Sequence, residues 1–490
     1  MRFAKAEILD ASTGEVLKAG LVTSESGRLS FQLSDTVGFK VRVYAESTGN
    51  GIDEWGLRVV DNGGSDSVGN YPVYSLESTT IQVANVSDVI SMRASSGWSG
   101  TSYAQTRSAA PFAIMDSMIT GTLYALSGRA GLSFDPIEVY WSTENSTDNV
   151  GTSFFSGSYI MILGDAGADT DEYDESIVIH EWGHYFQSIL SRDDSVGGPH
   201  GSGDLLDMRV AFSEGWANAL SGLAAGTTRY QDTLGPLQAG GFSFSLEVET
   251  PESAGAVKGW YSEDSVQNLV FDLFDAGEND DDSITLPASA MMDTLIDYMP
   301  TQTAATSIFA FGSGLISAES SRKDEILSLF AGENIAANRT DLDSFGEGET
   351  NSGEQYTSAQ GIAELTLPIY RQIPTSLKLS SICQDAVFGP LNKLGNYSFA
   401  RFSVPTTGTY TVRVSSTVSP MGATPDPDFG VFNASGLIGP SFAELTFNVG
   451  SEVHDLALTA GDYWLWVQDY NNFDANGTNG RYCQRLEITQ

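Results

Sequence analysis

ESIVIHEWGHYFQSIL, residues 175–190, is the stretch on which the rest of the chain turns. The chain has four histidines in 490 residues, and two of them, His180 and His184, stand four positions apart here. The stretch reads as a helix, and positions four apart on a helix share a face. His180 and His184 therefore project together, with Glu181 one position round. Two imidazoles converging in this way can each give a nitrogen to one Zn²⁺ at about 2.0–2.1 Å. HEWGH (180–184) is the HExxH pattern, in which the glutamate is placed to take a proton from the attacking water. The competing reading is a pair of half-buried histidines on an amphipathic helix. The scarcity of histidine elsewhere and the helical setting favour the metal.

Two histidines leave the metal one ligand short, because a catalytic zinc usually has three protein ligands and one open position. No third histidine follows closely, since HEWGHYFQSIL continues without one. The next helical stretch, AFSEGWANALSG (211–222), offers Glu214, whose plain alternative is an exposed acidic residue in an acidic protein. HEWGH followed by a helix carrying a glutamate resembles the gluzincin metallopeptidases, over roughly residues 100–280. That resemblance implies a two-lobed α+β zincin-like domain in which His180, His184 and Glu214 hold zinc and Glu181 is the general base. It also implies an acidic residue four positions after the third ligand to orient a histidine. Asn218 stands there, able to accept an imidazole hydrogen bond but uncharged. The oxyanion donor of such a site would be a Tyr or His. Tyr261 is the first candidate, with His200 and Tyr230 as rivals. The strand GSYIMILGD (157–165) would be the edge strand beside the helix, where a substrate backbone pairs.

Working outward, residues 1–97 read as strands: KAEILD, RLSFQLS, FKVRVYAES and WGLRVVD alternate apolar with polar residues between turn-rich segments. One wet face per strand points to an antiparallel sandwich. AEILDASTGEVLKAGLVTSESGRLSFQL resembles carboxypeptidase-regulatory or transthyretin-like modules. Residues 98–375 mix helices and strands, then become mostly helical, as an α+β domain does. From 376 to 490 strands return. FARFSVPTTGTYTVRVSS, DPDFGVF and LTAGDYWLWVQD resemble the bacterial pre-peptidase C-terminal domain, a small β-sandwich appended to secreted peptidases.

The bulk properties set limits. The length implies two to four domains. Net charge is −39, from 63 acidic and 24 basic residues, which argues against nucleic acid and anionic membranes as partners. Such a surface suits a salty medium, divalent cations or cationic substrates, or serves solubility alone. A candidate second metal is Ca²⁺ on the acidic loop DAGENDDDS (275–283), where a solvated loop is the alternative. Asp204 and Asp207 are expected to brace the loop or His200. No apolar run approaches the roughly 18 residues of a membrane helix, and no signal peptide is visible at the N-terminus. Cys383 and Cys483 lack metal-site spacing and are either free thiols or one disulfide. An exported chain would oxidise them, and both fall in the C-terminal sandwich, so a disulfide is expected.

The combined expectation is a secreted zinc peptidase acting on peptides or proteins, a zincin-like domain flanked by two β-sandwiches. The alternative is a catalytically silent, metal-containing surface binding or adhesion protein. The presence of Glu181 argues against it, because binding alone needs no general base.

Overall fold

FKVRVYAES forms strand β3 (Phe39–Ser47), which alternates buried and half-buried residues along its whole length, as its sequence predicts. The computed structural model describes residues 1–33, 38–49, 54–64, 70–82, 91–235, 240–246, 257–275, 284–337, 339–353, 363–447 and 449–490. The chain divides into two units, Met1–Ile189 with Leu220–Leu246, and Leu190–Ala219 with Glu247–Gln490.

In the first unit, β3 belongs to an eight-stranded sheet with β1 (Ala4–Asp10), β2 (Val16–Val22), β4 (Leu57–Asp61), β5 (Ser75–Glu77), β6 (Ile137–Trp141), β7 (Phe154–Phe155) and β8 (Tyr159–Ile162). The strand order is β2-β1-β3-β4-β6-β8-β7, with β5 also on β3. β6 runs parallel to both β4 and β8. Parallel neighbours cannot be joined by a tight turn, and the connection from β4 to β6 carries helix α1 (Ala110–Gly128). α1 packs against β3 and β4. On its other side Gly121 lets helix α2 (Glu175–Leu190) approach: a Cβ there would lie 2.7 Å from the Trp182 ring. Two short hairpins complete the unit, β9 (Gly164–Asp165) with β10 (Asp169–Thr170), and β11 (Arg229–Asp232) with β12 (Phe242–Ser245).

This topology corrects two expectations. Residues 1–97 do not form a separate sandwich, because β4 continues into β6 and β8 in one sheet, and a boundary at 97/98 falls inside the first unit. Alternation identifies strands but not their partners. In addition, Arg28–Leu33 of RLSFQLS is not a strand, whereas Val16–Val22 is.

The second unit holds most of α3 (Met208–Ala225), whose last residues, from Leu220, count with the first. It continues with α4 (Glu263–Phe274), α5 (Ala288–Asp293), α6 (Ile308–Ala318) and α7 (Lys323–Gly332). The start of α3 is fixed by a buried pair, Arg209 Nε donating to Asp207 Oδ1 at 2.8 Å, with the guanidinium over the rings of Tyr397 and Phe399.

Beyond the helices come two sheets. One runs β13-β15-β20-β17-β18, from β13 (Tyr370–Gln372), β15 (Ser398–Val404), β17 (Pro427–Asn433), β18 (Gly436–Gly439) and β20 (Gly461–Asp469). The other runs β14-β21-β16-β19, from β14 (Lys378–Asp385), β16 (Gly408–Val418), β19 (Ser451–Leu458) and β21 (Arg481–Thr489). Both contribute to one apolar core, with Phe402, Val431 and Leu465 from the first and Ile382, Val412 and Leu486 from the second. Side chains of two inner faces interdigitating in this way make a β-sandwich. Cys383 and Cys483 stand opposite each other on β14 and β21 and form a disulfide.

Candidate metal centre

Helix α2 begins with Glu175 in its first turn, where a negative charge complements the helix dipole. Its spacing then does what the sequence predicts: the rings of His180 and His184 meet, Nε2 to Nε2 at 3.0 Å. His180 and Glu181 are each 7% exposed, and His184 is half-buried. The Oε2 atom of Glu181 accepts the backbone N–H of Phe155, on β7, at 2.8 Å. The ring of Tyr230, on β11, lies edge-on to His180 with centroids 6.2 Å apart, and stacks on Phe244.

Glu214 sits on α3, 7% exposed. His200 Nε2 lies 3.4 Å from its Oε2, and His200 Nδ1 lies 2.9 Å from Oε2 of Glu263, in the first turn of α4. Asn218 Nδ2 donates to Glu263 Oε1 at 2.8 Å and to Gln267 Oε1 at 3.0 Å. Glu263 thus bridges the imidazole and the amide. The loop carrying His200 is tied to α4 by Ser202 Oγ and Gly203 N, both donating to Asp264 Oδ2. The helix pair itself is close-packed, because Gly215 has no side chain: a Cβ there would stand 2.7 Å from the Glu263 carbonyl oxygen and from Val266 Cβ.

His180, His184 and Glu214 each offer one ligand atom, and these atoms lie within 4.8 Å of one another. Two nitrogens at about 2.05 Å from a tetrahedral zinc would be about 3.3 Å apart, so the 3.0 Å between the imidazoles suits a shared ion. Two imidazoles and a carboxylate are also the donor set of a catalytic zinc with one position open. The residues present fit the metal.

Several sequence expectations meet a different arrangement. Tyr261, the first candidate donor, is 2% exposed, and its hydroxyl donates to the Lys258 carbonyl at 2.9 Å. Its rival His200 is the one beside Glu214. Asp207 pairs with Arg209 and Asp204 with Lys393, so they brace the chain just before α3, and the carboxylate on His200 Nδ1 is that of Glu263. The strand from GSYIMILGD, β8, is not the sheet edge: β7 pairs along its outer side. The amphipathic pattern of a strand says nothing about which strand lies outside it. Glu263 was missed because a carboxylate 63 residues from its histidine leaves no local signal. Of the acidic loop 275–283, only Asp275 lies among the described residues.

Comparison with known proteins shows what the chain is similar to. The Mycolysin C-terminal domain family matches residues 127–313, a span that takes in His180, Glu181, His184 and Glu214. Over that span, less than half of the chain, it is similar to that family. No curated protein matches it. Among solved structures, the precursor of protealysin, a metalloproteinase from Serratia proteamaculans, is 11% identical, covering 56% of this chain and 85% of its own at a TM-score of 0.27. The pre-peptidase C-terminal domain of a collagenase from Bacillus anthracis is 15% identical, covering 24% of this chain and 96% of its own at a TM-score of 0.16. Among the described residues no helix is long and apolar enough to cross a membrane.

Proposed function

We propose that the chain is a secreted zinc-dependent peptidase that hydrolyses peptide bonds. The observation that carries this reading is the clustering of ligand atoms from His180, His184 and Glu214, with the Glu181 carboxylate one residue from the first ligand. Zinc held there would supply a Lewis acid that polarises the scissile carbonyl and makes water a better nucleophile. Glu181 accepts the proton of the attacking water and returns it to the leaving amine. The Phe155 N–H on Oε2 holds that carboxylate in one orientation. His200 is the oxyanion donor we assign, with Glu263 fixing its ring. A ring held on its Nδ1 side by a carboxylate is fixed in orientation, as a preorganised donor must be.

The reading is tested by purifying the chain, measuring bound zinc, and assaying casein and a peptide library. Glu181→Gln is expected to keep zinc and the melting temperature while activity falls by about 10²–10⁴-fold. His184→Ala is expected to lose the metal. A Glu181→Gln variant as active as the parent, or a parent chain that takes up no zinc, sinks the proposal. Zinc uptake without hydrolysis would instead leave the binding-protein reading standing.

A further inference from the structure

A second group of metal-capable side chains lies in the first unit, apart from the histidines. Asp169, Asp171 and Asp232 each offer a carboxylate oxygen, and these oxygens lie within 4.8 Å of one another. Three separate pieces of chain bring them there. Asp169 is on β10, whose hairpin is closed by Asp165 and continued by a bridge from Asp169 to Leu234. Asp171 follows at the turn into α2, with its N–H on the Leu163 carbonyl and its own carbonyl accepting the N–H of Asp174. Asp232 ends β11, next to Thr233, whose N–H and hydroxyl both donate to Asp174 Oδ2 at 2.7 Å.

Acidic clusters are common without an ion. Here the second observation is the state of the oxygens. Asp171 is 3% exposed; the Ser153 hydroxyl donates to its Oδ2, while its Oδ1 is buried with no hydrogen-bond partner. Asp169 and Asp232 each carry a buried, unpartnered Oδ1 as well. Among the described residues none of the three forms an ion pair. Three carboxylates held this close, with buried oxygens left unpartnered and only a side-chain hydrogen bond between Asp169 and Asp171 to relieve them, make a costly arrangement that a cation among them would offset.

We infer that Asp169, Asp171 and Asp232 form a calcium site that clamps the β9–β10 hairpin and the end of β11 to the entry of α2. The all-oxygen donor set selects a hard cation over zinc. Three protein carboxylates whose ligand atoms lie within 4.8 Å of one another suit Ca²⁺ better than Mg²⁺, which keeps several of its waters and is seldom held in an all-protein cage. The electrostatics agree: burial first, then the like charges of Asp169, Asp232 and Asp174, raise the Asp171 carboxyl well above its ordinary range. The inference stands independently of the zinc reading, because it uses none of the same ligands.

The test uses the full chain, stripped with chelator and then given Ca²⁺ alone, with bound calcium and melting temperature as readouts. The parent is expected to bind one more Ca²⁺ than Asp171→Asn, and its melting temperature is expected to rise by several degrees at a calcium concentration of about 100 times Kd. Asp171→Asn should melt higher than the parent in chelator, since a repelling charge is gone, and should lose the calcium-dependent rise. Asp232→Asn, at a less buried strand end, repeats the test if the first variant does not fold. Equal calcium stoichiometry in parent and variants overturns the site. A parent that binds Mg²⁺ as tightly as Ca²⁺ overturns the assignment of the ion.

Discussion

Gly215→Ala puts a methyl group where α3 touches α4. The new Cβ would stand 2.7 Å from the Glu263 carbonyl oxygen and Val266 Cβ, and 2.8 Å from Val266 Cγ1. Ordinary contact begins near 3.4 Å, so the two helices must part by 3.4 − 2.7, about 0.7 Å. A carbonyl and a β-branched side chain on a helix cannot swing away, so the backbone moves. Overpacking of this kind costs about 1–3 kcal/mol. Against it stands the gain of about 1 kcal/mol for replacing glycine by alanine inside a helix. The net expectation is a loss of about 0–2 kcal/mol, or up to about 8 °C in melting temperature for a unit of this size. Glu214 is the preceding residue and Glu263 holds both His200 and Asn218, so the same shift displaces the candidate centre. Misplacement approaching 1 Å can cost about 10²-fold in rate, and zinc affinity and peptidase activity should fall more than stability does. Thermal melting by circular dichroism, zinc titration and a casein assay measure all three. If Gly215→Ala melts higher by the full helix-propensity gain and keeps its zinc affinity, the close approach of α3 and α4 is not what positions Glu214.

Two further outcomes follow from the C-terminal sandwich. Burial, with the Asp426 charge beside it, pushes the Asp428 carboxyl up from 3.8 to about 8; a carboxyl that holds its proton longer folded than unfolded makes stability fall as pH rises from about 4 to 8, so Asp428→Asn should raise the melting temperature at pH 8 and change it little at pH 4, measured in chelator. The Cys383–Cys483 disulfide closes a loop of 100 residues, and on the chain-entropy account its removal by Cys383→Ala with Cys483→Ala costs about 4–5 kcal/mol, to be read from urea unfolding; an unchanged midpoint would contradict that account.

The local features of this protein were legible in its sequence. Helix geometry is set within a few residues, so the four-residue step of HEWGH was enough to predict that the His180 and His184 rings meet. The strands of the C-terminal sandwich and of Phe39–Ser47 announced themselves by alternation for the same reason. What the sequence could not reveal is everything fixed by neighbours far away in the chain. Alternation in residues 1–97 named strands, but only the hydrogen bonds of β4 to β6 put them in one sheet with Tyr159–Ile162. His200 and Glu263 are 63 positions apart and Asp171 and Asp232 are 61 apart by numbering, with no local pattern to link them, since a side chain's titration, pairing and ligand role depend on what packs around it. Tyr261 looked well placed by its position before a helix, yet the fold buried it and gave its hydroxyl to a carbonyl. Periodicity is a property of consecutive residues and survives in the sequence; the company a side chain keeps is decided by packing, and exists only once the chain has folded.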